Sequence, residues 1–406
     1  MASQKYWLWL SNLQGVGSLL KLSLLEHFRE PDAVYYGDRE EYLLVEGMTK
    51  NAAAALEDKS LETAERVLGD CEALGLRIIT IRDTEYPDRL RNIYDPPLLL
   101  YVQGRMPLFD EEAAIAMVGS RSASGASLAA TERLAFQLAD LGALIVSGLA
   151  KGGDAAAHRG ALRAGGFTAA VIAGGHNVIY PRENRDLYED IGVRGVILSE
   201  YPPGTRHERG HFPARNRIIS GLCLGTVVSE APERSGTLIT ASRALDQGRD
   251  VFALPGPAGD KSCLGSNRLI RDGAGLVTDA WDILSHYVGQ YPHKLRGLRS
   301  PEPQTFGPGG GRERPVPEET EQQADRREPS APALPALELT VQSGLTDDQI
   351  RIVKALEGRT LQVDDLIEET QIPTRRVLSA LTMLEIDQIV TQESGKRFSL
   401  AVALVK

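Results

Sequence analysis

The chain has 406 residues, 55 acidic against 45 basic side chains, a formal net charge of -10 and three cysteines, a length that accommodates two or three domains with separate cores. Cys71, Cys223 and Cys263 stand far apart, without a CxxC pair or metal-ligand spacing, so neither a disulfide framework nor a metal site is expected. No window approaches the roughly 18 continuous apolar residues of a membrane span, and Met1 to Leu10 lacks the basic start of a signal peptide, so a cytoplasmic protein without a membrane partner is expected.

Residues 1–72 read as a small helical domain. Trp7, Leu10 and Leu13 recur at helical spacing, Leu19 to Phe28 follows, and Thr49 to Leu56 contains an alanine run. Two breaks contain glycine. Leu13-Gln14-Gly15-Val16-Gly17 and Val45-Glu46-Gly47-Met48-Thr49 are similar to helix-hairpin-helix turns, in which backbone N–H groups approach a phosphate. The alternative is that the turns simply need glycine. The acidity of this region, with only Lys21 and Lys50 flanking the turns, favours that structural reading.

From Leu76, apolar runs of strand length alternate with helical stretches, which is the pattern of a parallel sheet. Strands are expected at Leu76 to Ile81, Leu98 to Val102, Ala114 to Val118, Ala143 to Ser147, Thr168 to Ala173, Gly195 to Leu198, Gly225 to Ser229, Val251 to Leu254 and Leu276 to Thr278. The intervening helices are Ser124 to Asp140, Asp154 to Ala164, Asn184 to Ile191, Ala214 to Cys223, Gly236 to Gln247 and Gly265 to Arg271. Residues 73–288 thus read as an α/β domain with a doubly wound, mostly parallel sheet, which places ligands outside the carboxyl ends of its strands.

Residues 289–340 are rich in Pro, Gly and charge, with Pro308 to Gly311 and the run Glu318 to Glu328 nearly free of apolar side chains; a disordered linker is expected. Over 341–406, Thr346 to Gln349 caps a helix ending at Leu356, Val363 to Glu369 and Pro373 to Leu384 form two more, and Ile386 to Thr391 pairs with Lys396 to Val402 across a turn at Glu393 to Gly395. Three helices and a β-hairpin in that order make a winged helix. Arg375, Arg376, Lys396 and Arg397 could read duplex DNA there, but acidic residues outnumber basic ones in this region, which favours a partner-binding or auxiliary role.

Four loops carry the candidate chemistry. Gly119-Ser120-Arg121 follows a buried strand and leads into a helix, where backbone N–H groups and a guanidinium can meet phosphate oxygens. Ser147 to Asp154 repeats that arrangement with Gly148, Lys151 and Gly153, and Asp154 sits where an N-cap is expected, a role favoured over catalysis. His158, one turn on, reads as a side chain packing near the loop. In His211 to Arg217, Phe212 is interleaved with Arg215, Asn216 and Arg217, a combination that can track phosphates and stack on an unpaired base. Alternatively, Phe212 is core and the arginines form salt bridges. Ser235, Gly236 and Thr237 open a fourth helix at the same sheet edge.

Taken together these motifs resemble the DNA-processing protein A (DprA, also Smf) family over about Leu76 to Tyr287. The likeness rests on Gly119-Ser120-Arg121, the stretch from Ser147 to His158, Tyr180-Pro181-x-x-Asn184, Ser199 to Pro202, Phe212 to Arg217, Ser235 to Ala241 and Ala253 to Gly256. It implies a Rossmann-like domain, an amino-terminal SAM-like or helix-hairpin-helix-like module, and a carboxy-terminal winged helix. It also implies a homodimer that binds incoming single-stranded DNA in natural transformation, displaces single-strand-binding protein and loads the recombinase RecA, with no cofactor and no catalytic residue. Gly153, where the family has isoleucine, and Ala173-Gly174-Gly175-His176, where it has a Gly-x-Gly-Leu-like turn, depart from the pattern. The rival reading is a nucleoside-monophosphate phosphoribohydrolase-like enzyme, but no carboxylate follows Gly236-Thr237 before Asp246.

Overall fold

In the computed structural model the amino-terminal segment folds as α1 (Gln4–Asn12), α2 (Ser18–Phe28), α3 (Pro31–Tyr36), α4 (Arg39–Leu43), α5 (Lys50–Leu56) and α6 (Glu62–Ala73). Described are residues 4–295, 336–338, 346–386, 389–393 and 397–405, which fall in two units, Met1–Phe306 and Gly307–Lys406. α1 is not amphipathic. Trp7, Leu8, Trp9 and Leu10 are all buried, because α3 and α6 pack against it and other core residues surround it. Gly15 and Gly47 hold φ of +82° and +79°, so both turns require glycine. Lys21 points inward. Its Nζ donates to the Ser11 carbonyl at 2.6 Å, and burial lowers its pKa to about 8, which favours the structural reading of the first turn. The helical core continues onto Leu98, Leu99 and Tyr101, so this module rests on one face of the sheet edge.

All nine expected strands form, as β1 (Arg77–Thr80), β2 (Leu99–Gly104), β3 (Ala114–Val118), β4 (Leu144–Ser147), β5 (Thr168–Ile172), β6 (Val196–Ser199), β7 (Gly225–Val228), β8 (Asp250–Ala253) and β9 (Gly275–Leu276). The order across the sheet is β1-β2-β6-β5-β4-β3-β7-β8-β9. β2 through β9 include seven mutually parallel strands from β6 to β9, whereas β2 runs antiparallel to both β1 and β6. β1 and β2 are joined by residues 81–98, which include the short α7 (Asp88–Arg91). The helices α8 (Gly125–Asp140), α9 (Gly153–Arg163), α10 (Arg185–Arg194), α11 (His211–Gly221), α12 (Gly236–Asp246) and α13 (Leu264–Arg271) cover the two faces, and α14 (Trp281–Leu284) closes the segment. From β3 the chain winds outward through β4 to β6 and then returns to β7 on the other side, so the topological switch lies between β3 and β7. Cys71, Cys223 and Cys263 are all free and buried.

The second unit contains β10 (Ala336–Glu338), α15 (Asp347–Ala355), β11 (Leu361–Gln362), α16 (Val363–Thr370), α17 (Thr374–Ile386), β12 (Val390–Glu393), β13 (Arg397–Leu400) and β14 (Ala403–Val405). Thr346 and Gln349 form the expected capping box. β12 pairs with β13 as expected, β11 adds a third strand, and Ile386 belongs to the helix because α17 runs further than its apolar pattern suggests. Ala336–Glu338, read from sequence as linker, pairs in parallel with β14. The remainder of the expected linker from 296 on, Ser394 and Gly395 of the expected turn, and Lys396 of the expected strand lie outside the described residues. Arg376 is held by Asp348 at 2.6 Å. No helix among the described residues is long and apolar enough to cross a membrane.

Candidate nucleic-acid interface

A cleft of about 440 Å³ opens outside the carboxyl ends of β3 and β7, at the topological switch. Its walls are the β3–α8 turn with Gly119, Ser120 and Arg121, one face of α11, and the start of α12 with Ser235, Gly236 and Thr237. Ala150 reaches it from the β4–α9 loop and Asp154 from the first turn of α9. Of the expected site residues, Gly148, Lys151, Gly153 and Arg217 are not among those lining it.

The reason for the split within Phe212 to Arg217 is helical. α11 begins at His211, three residues before the expected start, and Pro213 fits its first turn because an N–H there has no intrahelical acceptor. Phe212, Arg215, Asn216 and Ile219 therefore share one face, which looks into the cleft, and Arg217 lies on another. The Arg217 guanidinium donates to both carboxylate oxygens of Glu200 at 2.9 and 2.7 Å, and its Nε lies 3.3 Å from Asp95. The alternative of an arginine salt bridge thus holds for Arg217, whereas Phe212 is only half-buried.

Arg121 is exposed, with its guanidinium over the Phe212 ring at 4.6 Å from the centroid. Arg215 is its opposite: buried in the cleft floor, with Nη1 donating to the Val171 carbonyl at 2.5 Å. Burial lowers its pKa to about 10 against the pull of Asp154, so it stays cationic at neutral pH. Gly148 makes room for it, since a Cβ there would run into the Arg215 guanidinium.

Asp154 is not the N-cap of α9. That position is Gly152, and the carboxylate, buried inside the first turn, accepts from the Gly119 and Ala150 N–H groups at 3.4 Å each, tying the first two loops together. Burial raises its pKa, and Arg215 opposes the rise. Gly153 packs on Gly119: a Cβ at Gly153 would come 2.6 Å from the Gly119 Cα, so this contact requires glycine. Lys151 is exposed and paired with Glu183. His158 is fully buried and donates through Nδ1 to Thr168 Oγ1 at 2.7 Å, because that hydroxyl itself donates to the Ile145 carbonyl.

Three residues outside the expected site set also shape the cleft. Glu230 is buried and accepts from Ser124 N and Oγ, while its carbonyl receives the Ser120 N–H at 2.9 Å, so it braces the first and fourth loops. Asn184 donates to the Leu149 and Ala150 carbonyls at 3.0 and 3.2 Å and fixes the second loop. Arg234 lines the cleft and is exposed; its place between Glu233 and Ser235, just before a helix start, was the available signal. Ser235 itself caps α12 by accepting from Thr237 N at 3.2 Å.

Residues 77–288 match the model of DNA recombination-mediator protein A, and residues 328–396 match the DprA winged helix domain. The chain belongs to the DprA/Smf family. The DNA processing protein DprA of Streptococcus pneumoniae is 47% identical over 208 residues, 51% of this chain and 73% of that protein. Protein Smf of a Synechocystis strain is 33% identical and spans 98% of both chains. The X-ray structure of the pneumococcal DprA matches with a TM-score of 0.62 at 38% identity, covering 69% of this chain and 97% of that one. The Rossmann-like core with an appended winged helix is therefore the fold of this family member.

Two buried histidines give the domain a pH signature. Burial drives the pKa of His158 down to about 3 and that of His176 to about 4. In the unfolded chain both rings take up protons near pH 6.5, so below that pH the unfolded state binds more protons and stability falls. The loss is on the order of 1 kcal/mol per pH unit for each ring down to about pH 4. The melting temperature is expected to drop more steeply between pH 6.5 and 4 in the wild type than in a His158→Gln/His176→Gln double variant; equal slopes would contradict this.

Proposed function

We propose that the cleft holds an unpaired DNA strand and performs no chemistry on it. The observation that carries this reading is Arg121 seated on Phe212 at the cleft wall, where a phosphate-binding cation and an aromatic surface occur together. Three guanidinium groups, from Arg121, Arg215 and Arg234, face one carboxylate among the lining residues, so the cleft is locally cationic in an acidic chain. Duplex DNA hides its base faces, which favours the single strand as ligand. The sole carboxylate, Asp154, already accepts two backbone N–H groups, which counts against an acid or base for glycosidic cleavage and hence against the phosphoribohydrolase alternative.

In this reading residues 73–288 form the DNA-binding domain, 1–72 an auxiliary helical module and 341–406 a winged-helix accessory. The protein acts in the cytoplasm as a homodimer that receives transforming single strands, displaces single-strand-binding protein and loads RecA. The relatives named DNA processing proteins support a role in handling DNA, and Leu264 and Leu276, 40% and 50% exposed, offer apolar surface for a second copy. The test combines two assays. RecA filament formation on strands coated with single-strand-binding protein is expected to accelerate when the protein is added, and nucleoside monophosphates incubated with it are expected to release no base. Base release without acceleration would favour the enzyme.

A further inference from the structure

We infer that Tyr180 forms a second stacking platform, for the nucleotide next to the one in the cleft. This rests on the cleft being a single-strand site. Phe212 is half-buried at the cleft wall: Arg121 lies over it at 4.6 Å, and the rings of His207 and Tyr180 have centroids 6.1 and 5.9 Å from its own. The row of rings therefore continues outward from the cleft wall and ends at Tyr180, which is 46% exposed.

The outer ring is held in place from below. His207 Nε2 donates to the Val178 carbonyl at 2.7 Å, and the ring lies so close to Gly174 that a Cβ there would come within 2.9 Å of Nε2. Tyr180 packs on this fixed ring at 5.2 Å with a 33° tilt. That packing also accounts for the two glycines at 174 and 175: Gly175 approaches the backbone of Pro202 and Gly204 just as closely, which brings the loop carrying His207 under Tyr180. A platform fixed before binding keeps the ordering cost low. The Tyr180 hydroxyl makes no hydrogen bond among the described residues, so the aromatic face is what this side chain presents. Arg182 and Arg206, close in sequence to the two outer rings, are exposed and make no ion pair among the described residues, leaving cations for the adjoining phosphates. Every base has a π-face, so the platform takes any unpaired base.

The experiment measures binding of a labelled short oligodeoxythymidylate, and of an abasic strand of the same length, to the full-length wild type, Tyr180→Ala and Tyr180→Phe. Tyr180→Ala is expected to bind the oligothymidylate about 10-fold more weakly, Tyr180→Phe like wild type, and all three to bind the abasic strand equally. The salt dependence is expected to be the same in all three, because no phosphate contact is removed. Wild-type affinity in Tyr180→Ala, equal losses in both variants, or an equal loss on the abasic strand would overturn the stacking role while leaving the cleft reading intact. No binding of either strand by the wild type would overturn both.

Discussion

Arg121→Ala is expected to weaken single-strand binding by roughly 10-fold at low salt and to flatten the plot of log affinity against log salt by about 0.7, the share of one phosphate contact on a single strand. Among the described residues the exposed guanidinium makes no ion pair; it lies over the Phe212 ring, so its removal is expected to leave the fold intact. Arg121→Lys separates its two functions. The ammonium keeps the charge and the salt slope but loses the planar fit to the ring, so it is expected to recover only part of the affinity. A gel-shift titration with wild-type slope and affinity in Arg121→Ala would remove this residue from the site.

Arg217→Met is expected to act on stability instead. Removing the guanidinium leaves Glu200 and Asp95, both largely covered, without their partner, and breaking a buried pair from one side costs about 3–5 kcal/mol. For a domain of this size the melting temperature is expected to fall by on the order of 10 °C. Strand binding measured well below the melting point is expected to keep its wild-type salt slope, since Arg217 meets no phosphate. A flattened slope with unchanged melting temperature would place Arg217 back in the cleft.

These two arginines illustrate what the sequence could and could not convey. The nine strands were legible because buried parallel strands are short apolar runs bounded by glycine and polar turns. The direction of β1 and β2 was not, since an apolar run looks the same either way up and their connection, residues 81–98 with a short helix, is long enough for either pairing. Gly119, Ser120, Arg121, Phe212, Arg215, Asn216 and the Ser235 turn were found through residue type and position, and all meet in the cleft. Arg217 was grouped with them because a segment read as loop lets every side chain face the ligand. Once α11 starts at His211, only every third or fourth residue can. Gly148 and Gly153 read as anion-binding glycines, and their Cβ positions meet the Arg215 guanidinium and the Gly119 backbone; close approach favours glycine in either case, and sequence alone does not say what approaches. Asp154 likewise stands two residues inside its helix, where the carboxylate bonds across loops rather than to its own helix end.

Competition for a labelled single strand by unlabelled single-stranded DNA, duplex DNA of the same sequence and a nucleoside monophosphate tests the cleft most directly. Single strands are expected to displace the probe at far lower concentration than duplex, and the mononucleotide to displace it hardly at all. Duplex competing as well as single strands, or efficient displacement by the mononucleotide, would contradict a groove built for an unpaired polynucleotide.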